Sequence, residues 1–132
     1  MRITADTNVL VRAITGDDER QSKLAQAELA SAEAVALALP ALCELVWVLS
    51  RAYKIPDADI AETIRRLMNS ATVFVDRPAV EAGLAILEAG GDFADGVICY
   101  EGSWLGAETF LSFDKQATEL LSSRGRSVRL LP

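Results

Sequence analysis

Histidine is absent from this chain of 132 residues, and its absence removes several classes of chemistry. Without an imidazole there is no Ser-His or Cys-His nucleophile and no zinc site with histidine ligands. Catalysis would therefore have to use carboxylates, hydroxyls, amides and basic groups. The sequence has only two cysteines, Cys43 and Cys99. Both lie in apolar segments without metal-ligand spacing, so we interpret them as buried thiols in a reducing compartment rather than as a disulfide.

Long apolar runs are also lacking. No apolar segment follows Met1, which argues against a signal peptide. The most apolar region, residues 34–49, is interrupted by Pro40 and Glu44 and is a poor candidate for a membrane span. Apolar residues nevertheless make up 51% of the chain, which is enough for a folded core. We therefore expect a soluble, cytoplasmic protein with a single domain, residues 1–132.

Positive charge is scarce, because 13 Lys and Arg residues face 19 Asp and Glu residues and give a net charge of −6. A nucleic-acid-binding protein usually has a basic surface, so this balance counts mildly against that function. The argument weakens if five acids, Asp6, Glu44, Asp92, Asp95 and Asp114, share one site. Without them the net charge would be −1, and bound divalent cations would offset most of the excess.

Strand-like and helix-like segments alternate along the chain with short connections. The strand-like segments are short and apolar or β-branched. They are residues 2–5, 34–39, 72–75, 109–113 and 127–131. The segments between them have helical patterns, and the clearest is the stripe Leu42, Leu45, Val46 and Leu49. This alternation predicts an α/β fold with a mostly parallel sheet flanked by helices.

Acidic residues follow the predicted strands or begin the predicted helices. Asp6 and Asp114 come directly after strands, and Asp95 falls in the first turn of a helix. Glu44 is the only charged residue in its helix before Arg51 and has no basic residue at i+3 or i+4. Because the carboxyl ends of parallel strands share one edge of a sheet, we expect these four side chains to converge there. Two structural explanations remain open, namely a solvated Glu44 and N-capping by the aspartates.

Converging carboxylates repel one another unless a cation lies between them. Oxygen-only ligands of this kind suit Mg²⁺ or Mn²⁺, which bind through few carboxylates together with substrate phosphates. A metal ion so held can lower the pKa of a bound water and neutralise a leaving oxygen. The acidic residues therefore predict hydrolysis of a phosphodiester.

Four ordered motifs resemble those of PIN-domain ribonucleases, and most closely the VapC toxins of toxin–antitoxin pairs. They are Ala5-Asp6-Thr7-Asn8, Pro40-Ala-Leu-Cys-Glu44, Asp92-Phe-Ala-Asp95-Gly-Val-Ile98 and Phe110-Leu-Ser112-Phe-Asp114-Lys115. The resemblance implies a three-layer sandwich in which a central, mostly parallel sheet is flanked by helices. It also implies that four acids bind metal and catalyse, namely Asp6, Glu44, Asp95 and Asp114. Supporting roles fall to Asn8, Asp92 and Ser112, and Gly96 stands where the family commonly has alanine, a change expected to loosen its helix.

The function implied by this resemblance is an Mg²⁺- or Mn²⁺-dependent endoribonuclease that acts as a toxin, forms a homodimer and is restrained by a cognate antitoxin. RNA phosphates would contact some of the basic residues Arg12, Arg51, Lys54, Arg65, Arg66 and Lys115, although any one of them could equally be a solvated surface residue. Trp47 and Trp104 could stack on a base or line a dimer contact, but we expect them to be buried in the core.

Three other functions would use some of the same residues. A non-catalytic, Mg²⁺-binding receiver-like signalling domain would use Asp76 as phospho-acceptor together with Lys115, but it leaves Glu44 without a role. A phosphatase with an aspartyl-phosphate intermediate needs an acid two residues after Asp6, where this chain has Asn8. A degenerate PIN domain that binds partners without cleaving RNA is disfavoured by the complete set of acids.

Overall fold

The computed structural model describes residues 1–132 and divides them into two compact units, Met1–Asp76 and Arg77–Pro132. The chain contains seven α-helices and five β-strands. Every strand pairing is parallel, so each crossover between paired strands includes at least one helix. The predicted α/β class with parallel strands is confirmed.

The first unit contains a three-stranded sheet in the order β1-β2-β3. Its elements, in chain order, are β1 (Arg2–Thr4), α1 (Thr7–Thr15), α2 (Glu19–Ser31), β2 (Ala34–Ala36), α3 (Leu39–Arg51), α4 (Asp57–Met68) and β3 (Val73–Phe74). In the register of the sheet, Ile3 lies opposite Val35, and Val35 lies opposite Val73. The strands are short, so the sheet depends on helix packing for its stability.

The core of the first unit comes mainly from the apolar stripes of its helices. In α3, the predicted stripe of Leu42, Leu45, Val46 and Leu49 is buried, with 0–3% of each side chain exposed. Side chains of α4, spaced three or four residues apart, are buried in the same way because this spacing places them on one helical face. The helix boundaries also follow local chemistry, since Gly16 ends α1 in the left-handed conformation with φ 67°.

A polar cluster joins the end of α1, the start of α2 and the end of α3. Asp17 accepts hydrogen bonds from the Tyr53 hydroxyl at 2.5 Å, from Arg12 Nη1 at 2.9 Å and from Thr15 Oγ1 at 3.0 Å. These donors, and the Tyr53 hydroxyl first, hold the pKa of Asp17 below its usual value. Arg12 also donates from Nε to Gln21 at 2.7 Å. Its guanidinium is therefore engaged within the protein, which disfavours it as a contact for RNA phosphates.

The second unit contains a two-stranded parallel sheet, β4-β5. Its elements are α5 (Arg77–Glu88), α6 (Phe93–Trp104), β4 (Thr109–Ser112), α7 (Lys115–Ser123) and β5 (Ser127–Leu130). The helix α7 is the crossover between the two strands, and Thr109 lies opposite Ser127 while Ser112 lies opposite Leu130. Gly90 has φ 95° and follows α5 after a single residue, as expected of a glycine that terminates a helix.

The helices α5 and α6 approach each other backbone to backbone. A Cβ atom built on Gly96 would lie 2.8 Å from Gly83 Cα and 2.9 Å from the Ala82 carbonyl carbon, and nearest of all to the Ala82 carbonyl oxygen. A Cβ on Gly83 would lie 2.7 Å from the ring of Phe93. Gly96 therefore does not loosen α6 but permits its close contact with α5, and an alanine would not fit here without a shift.

Two expectations about side-chain burial need correction or comment. Both tryptophans are exposed, Trp47 by 59% and Trp104 by 77%, so the prediction of buried packing is wrong. Cys43 and Cys99 do not form a disulfide, as predicted, but each is only half-buried. None of the helices is both long enough and apolar enough to cross a bilayer.

Candidate functional site

Three of the candidate acids belong to the second unit and influence one another. Asp92 is the N-cap of α6, and its Oδ1 accepts a hydrogen bond from the Ala94 amide at 3.1 Å. Asp95 lies in the first turn of the same helix and is half-buried. Asp114 is the N-cap of α7 and follows β4 after a single residue. The N-cap explanation for Asp92 is therefore correct, and Asp114 has the same structural role.

The environment of Asp95 disfavours its charged form. Partial burial raises the pKa of the Asp95 carboxyl, and the negative charges of Asp92 and Asp114 raise it further. No hydrogen-bond donor or basic side chain of the protein contacts this carboxylate to offset these effects. A cation placed between these acids would reverse the effect, because opposite charge favours the ionised form of a carboxyl group.

Asp114 is held by two hydrogen bonds, one through its backbone amide and one through its carboxylate. Its amide donates to Ser112 Oγ at 2.9 Å, and its Oδ1 accepts from the Ala117 amide at 3.0 Å. The strand β4 therefore ends in a turn fixed by the Ser112 hydroxyl, as expected of a serine placed two residues before an N-cap. One carboxylate oxygen of Asp114 is used in the cap, while the other has no hydrogen-bond partner in the protein.

In the first unit, Asp6 follows β1 after a single residue, Ala5. It is the N-cap of α1, with an extended backbone, and its Oδ1 accepts from the Thr7 amide at 2.8 Å. Thr7 is buried and Asn8 is exposed in the first turn of α1. As with Asp114, the cap occupies one oxygen of the carboxylate, which leaves the other oxygen available.

Glu44 lies in the second turn of α3 and is exposed to solvent. Its carboxylate forms no ion pair or hydrogen bond with the protein. The solvated position that the sequence left open is therefore the one observed. Neither packing nor a partner in the protein fixes the position of the Glu44 side chain. Its carboxylate is therefore available to a ligand that binds to the exposed face of α3.

The structure contains no group of three or more Cys, Asp or Glu side chains arranged to hold a metal ion. It does bring Asp92, Asp95 and Asp114 close enough for their charges to interact. The donors are all oxygen atoms, and the least exposed of them, on Asp95, has no cationic partner. This chemistry fits a hard divalent cation such as Mg²⁺ or Mn²⁺.

The comparisons with known proteins agree with this chemistry. A family model described as PIN domain matches residues 3–120, a range that covers most of both units. PIN domains are generally nucleases and generally use divalent metal ions. The α/β fold, with seven helices and parallel strands, is consistent with a PIN-like sandwich. A search of curated proteins found no match to the chain.

Proposed function

The chain belongs to the PIN-domain family, and from this premise we propose that it is a metal-dependent endoribonuclease that hydrolyses RNA phosphodiester bonds. The observation that best supports the proposal is the half-buried carboxylate of Asp95. Asp95 lies near two other acids, and no basic residue of the protein compensates its charge. Such a carboxylate reduces the stability of the fold unless a cation binds to it.

The proposed metal ligands are Asp6, Glu44, Asp95 and Asp114, with Asn8, Asp92 and Ser112 in supporting positions. Because the family match covers both units, we propose that residues 1–132 act as one PIN-like domain. The chemistry that a bound Mg²⁺ or Mn²⁺ would supply is polarisation of a phosphoryl oxygen and a lower pKa for a bound water.

The hydrogen bonds and the exposure of each acid indicate which role it would have in the reaction. The carboxylate of Asp114 is held by its cap, and its backbone amide is bonded to Ser112. This fixed orientation suits a role as a metal ligand. Glu44 is exposed and unpaired, so its Oε atoms are free to accept the proton of the attacking water. Asp6 and Asp95 would hold the metal ion.

A test of the enzymatic function uses purified protein and a fluorescently labelled RNA. We expect cleavage with Mg²⁺ or Mn²⁺, no cleavage after chelation, and loss of cleavage in Asp6→Asn and Asp95→Asn. The control is Asp59→Asn, which removes an exposed acid in the first turn of α4 and should leave cleavage unchanged. If the first two variants cleave as fast as Asp59→Asn, the assigned site is wrong.

The same proposal includes a role as the toxin of a toxin–antitoxin pair, acting in the cytoplasm as a homodimer that a cognate antitoxin inhibits. Its support is the resemblance of the four motifs to VapC toxins. Expression of the protein should arrest growth, and Asp6→Asn should abolish that arrest. A small reading frame directly upstream whose product restores growth would identify the antitoxin. Growth that continues despite active ribonuclease would refute the toxin role alone.

The competing functions now differ in their support. The PIN match gives no support to a receiver-like domain. A degenerate PIN domain is the conclusion if the pure protein binds RNA but fails to cleave it with either metal ion.

A further inference from the structure

The exposed face of α3 places an acid, an aromatic ring and a base in one row. With about 100° of rotation per residue, Glu44, Trp47 and Arg51 lie about 200°, 140° and 180° around the helix from the buried Leu42. All three are exposed. They follow one another at spacings of three and four residues, so each is a neighbour of the next on the helix surface.

Trp47 is the unusual member of this row. Its side chain is 59% exposed, and its indole N–H donates no hydrogen bond within the protein. The other tryptophan, Trp104, is also exposed, but its Nε1 donates to the Tyr100 hydroxyl at 2.6 Å. Trp47 therefore offers both a free aromatic face and a free donor.

The charges beyond Trp47 are positive and unpaired. Arg51, in the last turn of α3, and Lys54, just after the helix, form no ion pair. Three other basic residues of the first unit are paired with acids, in the pairs Arg12–Asp17 at 2.9 Å, Lys23–Glu19 at 3.2 Å and Arg66–Glu62 at 2.6 Å. In a chain of net charge −6, an exposed tryptophan followed along the chain by two unpaired cations complements a polyanion.

Single-stranded nucleic acid is the ligand that fits this combination. Bases of any sequence stack on aromatic side chains, and basic groups hold the phosphates of the same strand. A second copy of the chain fits less well, because stable interfaces are usually depleted of glutamate and lysine, whereas Trp47 has Glu44 as its neighbour and Lys54 follows Arg51.

We propose that the face of α3 carrying Glu44, Trp47 and Arg51, continued by Lys54, is a binding track for single-stranded RNA. One base stacks on Trp47, and Arg51 and Lys54 hold the phosphates on the side away from Glu44. This proposal rests on the proposed ribonuclease function and specifies how that site holds its substrate. It also explains why the largest apolar side chain of α3 is not in the core.

The test measures binding without cleavage, so it does not depend on whether the nuclease proposal is correct. The ligand is a short 2′-O-methyl oligouridylate, which has no free 2′-hydroxyl, and the buffer contains EDTA. Trp104→Phe leaves Trp47 as the only tryptophan, and Trp47→Phe leaves Trp104. We expect the oligonucleotide to quench the fluorescence of the first variant and to leave that of the second unchanged.

Affinities give the second measurement. Loss of one stacked base is worth about 1–3 kcal/mol, so Trp47→Ala should weaken binding roughly 5- to 150-fold. Trp104→Ala is the matched control and should bind like the wild type. Arg51→Ala should weaken binding and lower the slope of log affinity against log salt by about 0.7, the value for one phosphate contact to a single strand.

Two results would overturn the proposal. One is equal affinity of Trp47→Ala and Trp104→Ala for the oligonucleotide. The other is a change from dimer to monomer in Trp47→Ala, measured by sedimentation, without a change in RNA affinity, which would assign this face to a second copy. Binding that follows the prediction in a protein that never cleaves RNA would refute the enzymatic proposal and leave the track in place.

Discussion

The contact between α5 and α6 leads to a prediction about Gly96→Ala. The added Cβ would lie 2.8 Å from Gly83 Cα, whereas an ordinary contact is 3.4–4 Å, so α6 must move by at least about 0.6–1.2 Å, and further to clear the Ala82 carbonyl oxygen, which is nearer still. The obstructing atoms of Ala82 and Gly83 belong to the backbone, and no rotamer change can relieve the overlap. Overpacking of this kind costs about 1–3 kcal/mol.

Gly102→Ala is a matched control within the same helix. A Cβ at Gly102 has only Ala107 Cβ nearby, at an ordinary 3.9 Å. Both variants gain the helix preference of alanine over glycine, about 0.5–1 kcal/mol. The difference between them therefore reports the overlap alone, about 1–3 kcal/mol, which corresponds to roughly 4–12 °C in melting temperature for a chain of this length. Thermal unfolding followed by circular dichroism measures it.

The movement of α6 should also affect the acids. The helix α7 is tied to α5, because Arg124 donates to the Ala85 carbonyl oxygen at 3.4 Å. Moving α6 away from α5 therefore moves Asp95 relative to Asp114, and Mn²⁺ affinity should fall in Gly96→Ala but not in Gly102→Ala. Equal melting temperatures for the two variants would refute the close approach of the helices, and equal Mn²⁺ affinities would refute its effect on the acids.

Three further predictions concern charge and capping in metal-free protein. Ionised Asp95 destabilises the fold because its pKa is raised, so Asp95→Asn should melt higher than wild type at neutral pH, and the difference should disappear as the pH falls below the ordinary value of 3.8. Asp114→Ala removes an N-cap and should lose about 1 kcal/mol of unfolding free energy, measured by urea titration, whereas Asp114→Ser keeps a capping oxygen and most of the stability. Neither variant should cleave RNA. The pKa of Asp17 is lowered by its donors, so its contribution to stability should be lost as the pH falls through that lowered value, and Tyr53→Phe should reduce the loss in acid melting curves.

Local sequence patterns were sufficient to predict most of the secondary structure. The stripe from Leu42 to Leu49 faces the core because helix geometry fixes which residues share a side, and Gly16 ends α1 because glycine tolerates the left-handed conformation. Such features depend on neighbours in the chain, so the sequence contains the information needed to place them.

Exposure and close packing were harder to predict. The aromatic character of Trp47 predicts a place in the core, although its position opposite the stripe of α3 indicates the exposed face. Hydrophobicity and helical position therefore give opposite predictions for the burial of Trp47, and the prediction from helical position is correct. The role of Gly96 had no comparable signal, because the residue it contacts, Gly83, lies on a different helix and no periodic pattern connects the two.

The acids show why a sequence pattern can identify a candidate site without establishing its role. Asp6 and Asp114 follow parallel strands and cap the next helices, and that position is also where α/β sheets bind ligands. Capping uses one oxygen of each carboxylate, so the structural role and metal binding are compatible at the same residue. Asp95 distinguishes the two explanations, because it caps nothing and has no protein partner for its charge. Its place in the first turn of α6 is favoured by the helix dipole, but its burial and its acidic neighbours oppose the charge, so Asp95 is the acid at which metal binding and fold stability are most directly separated by experiment.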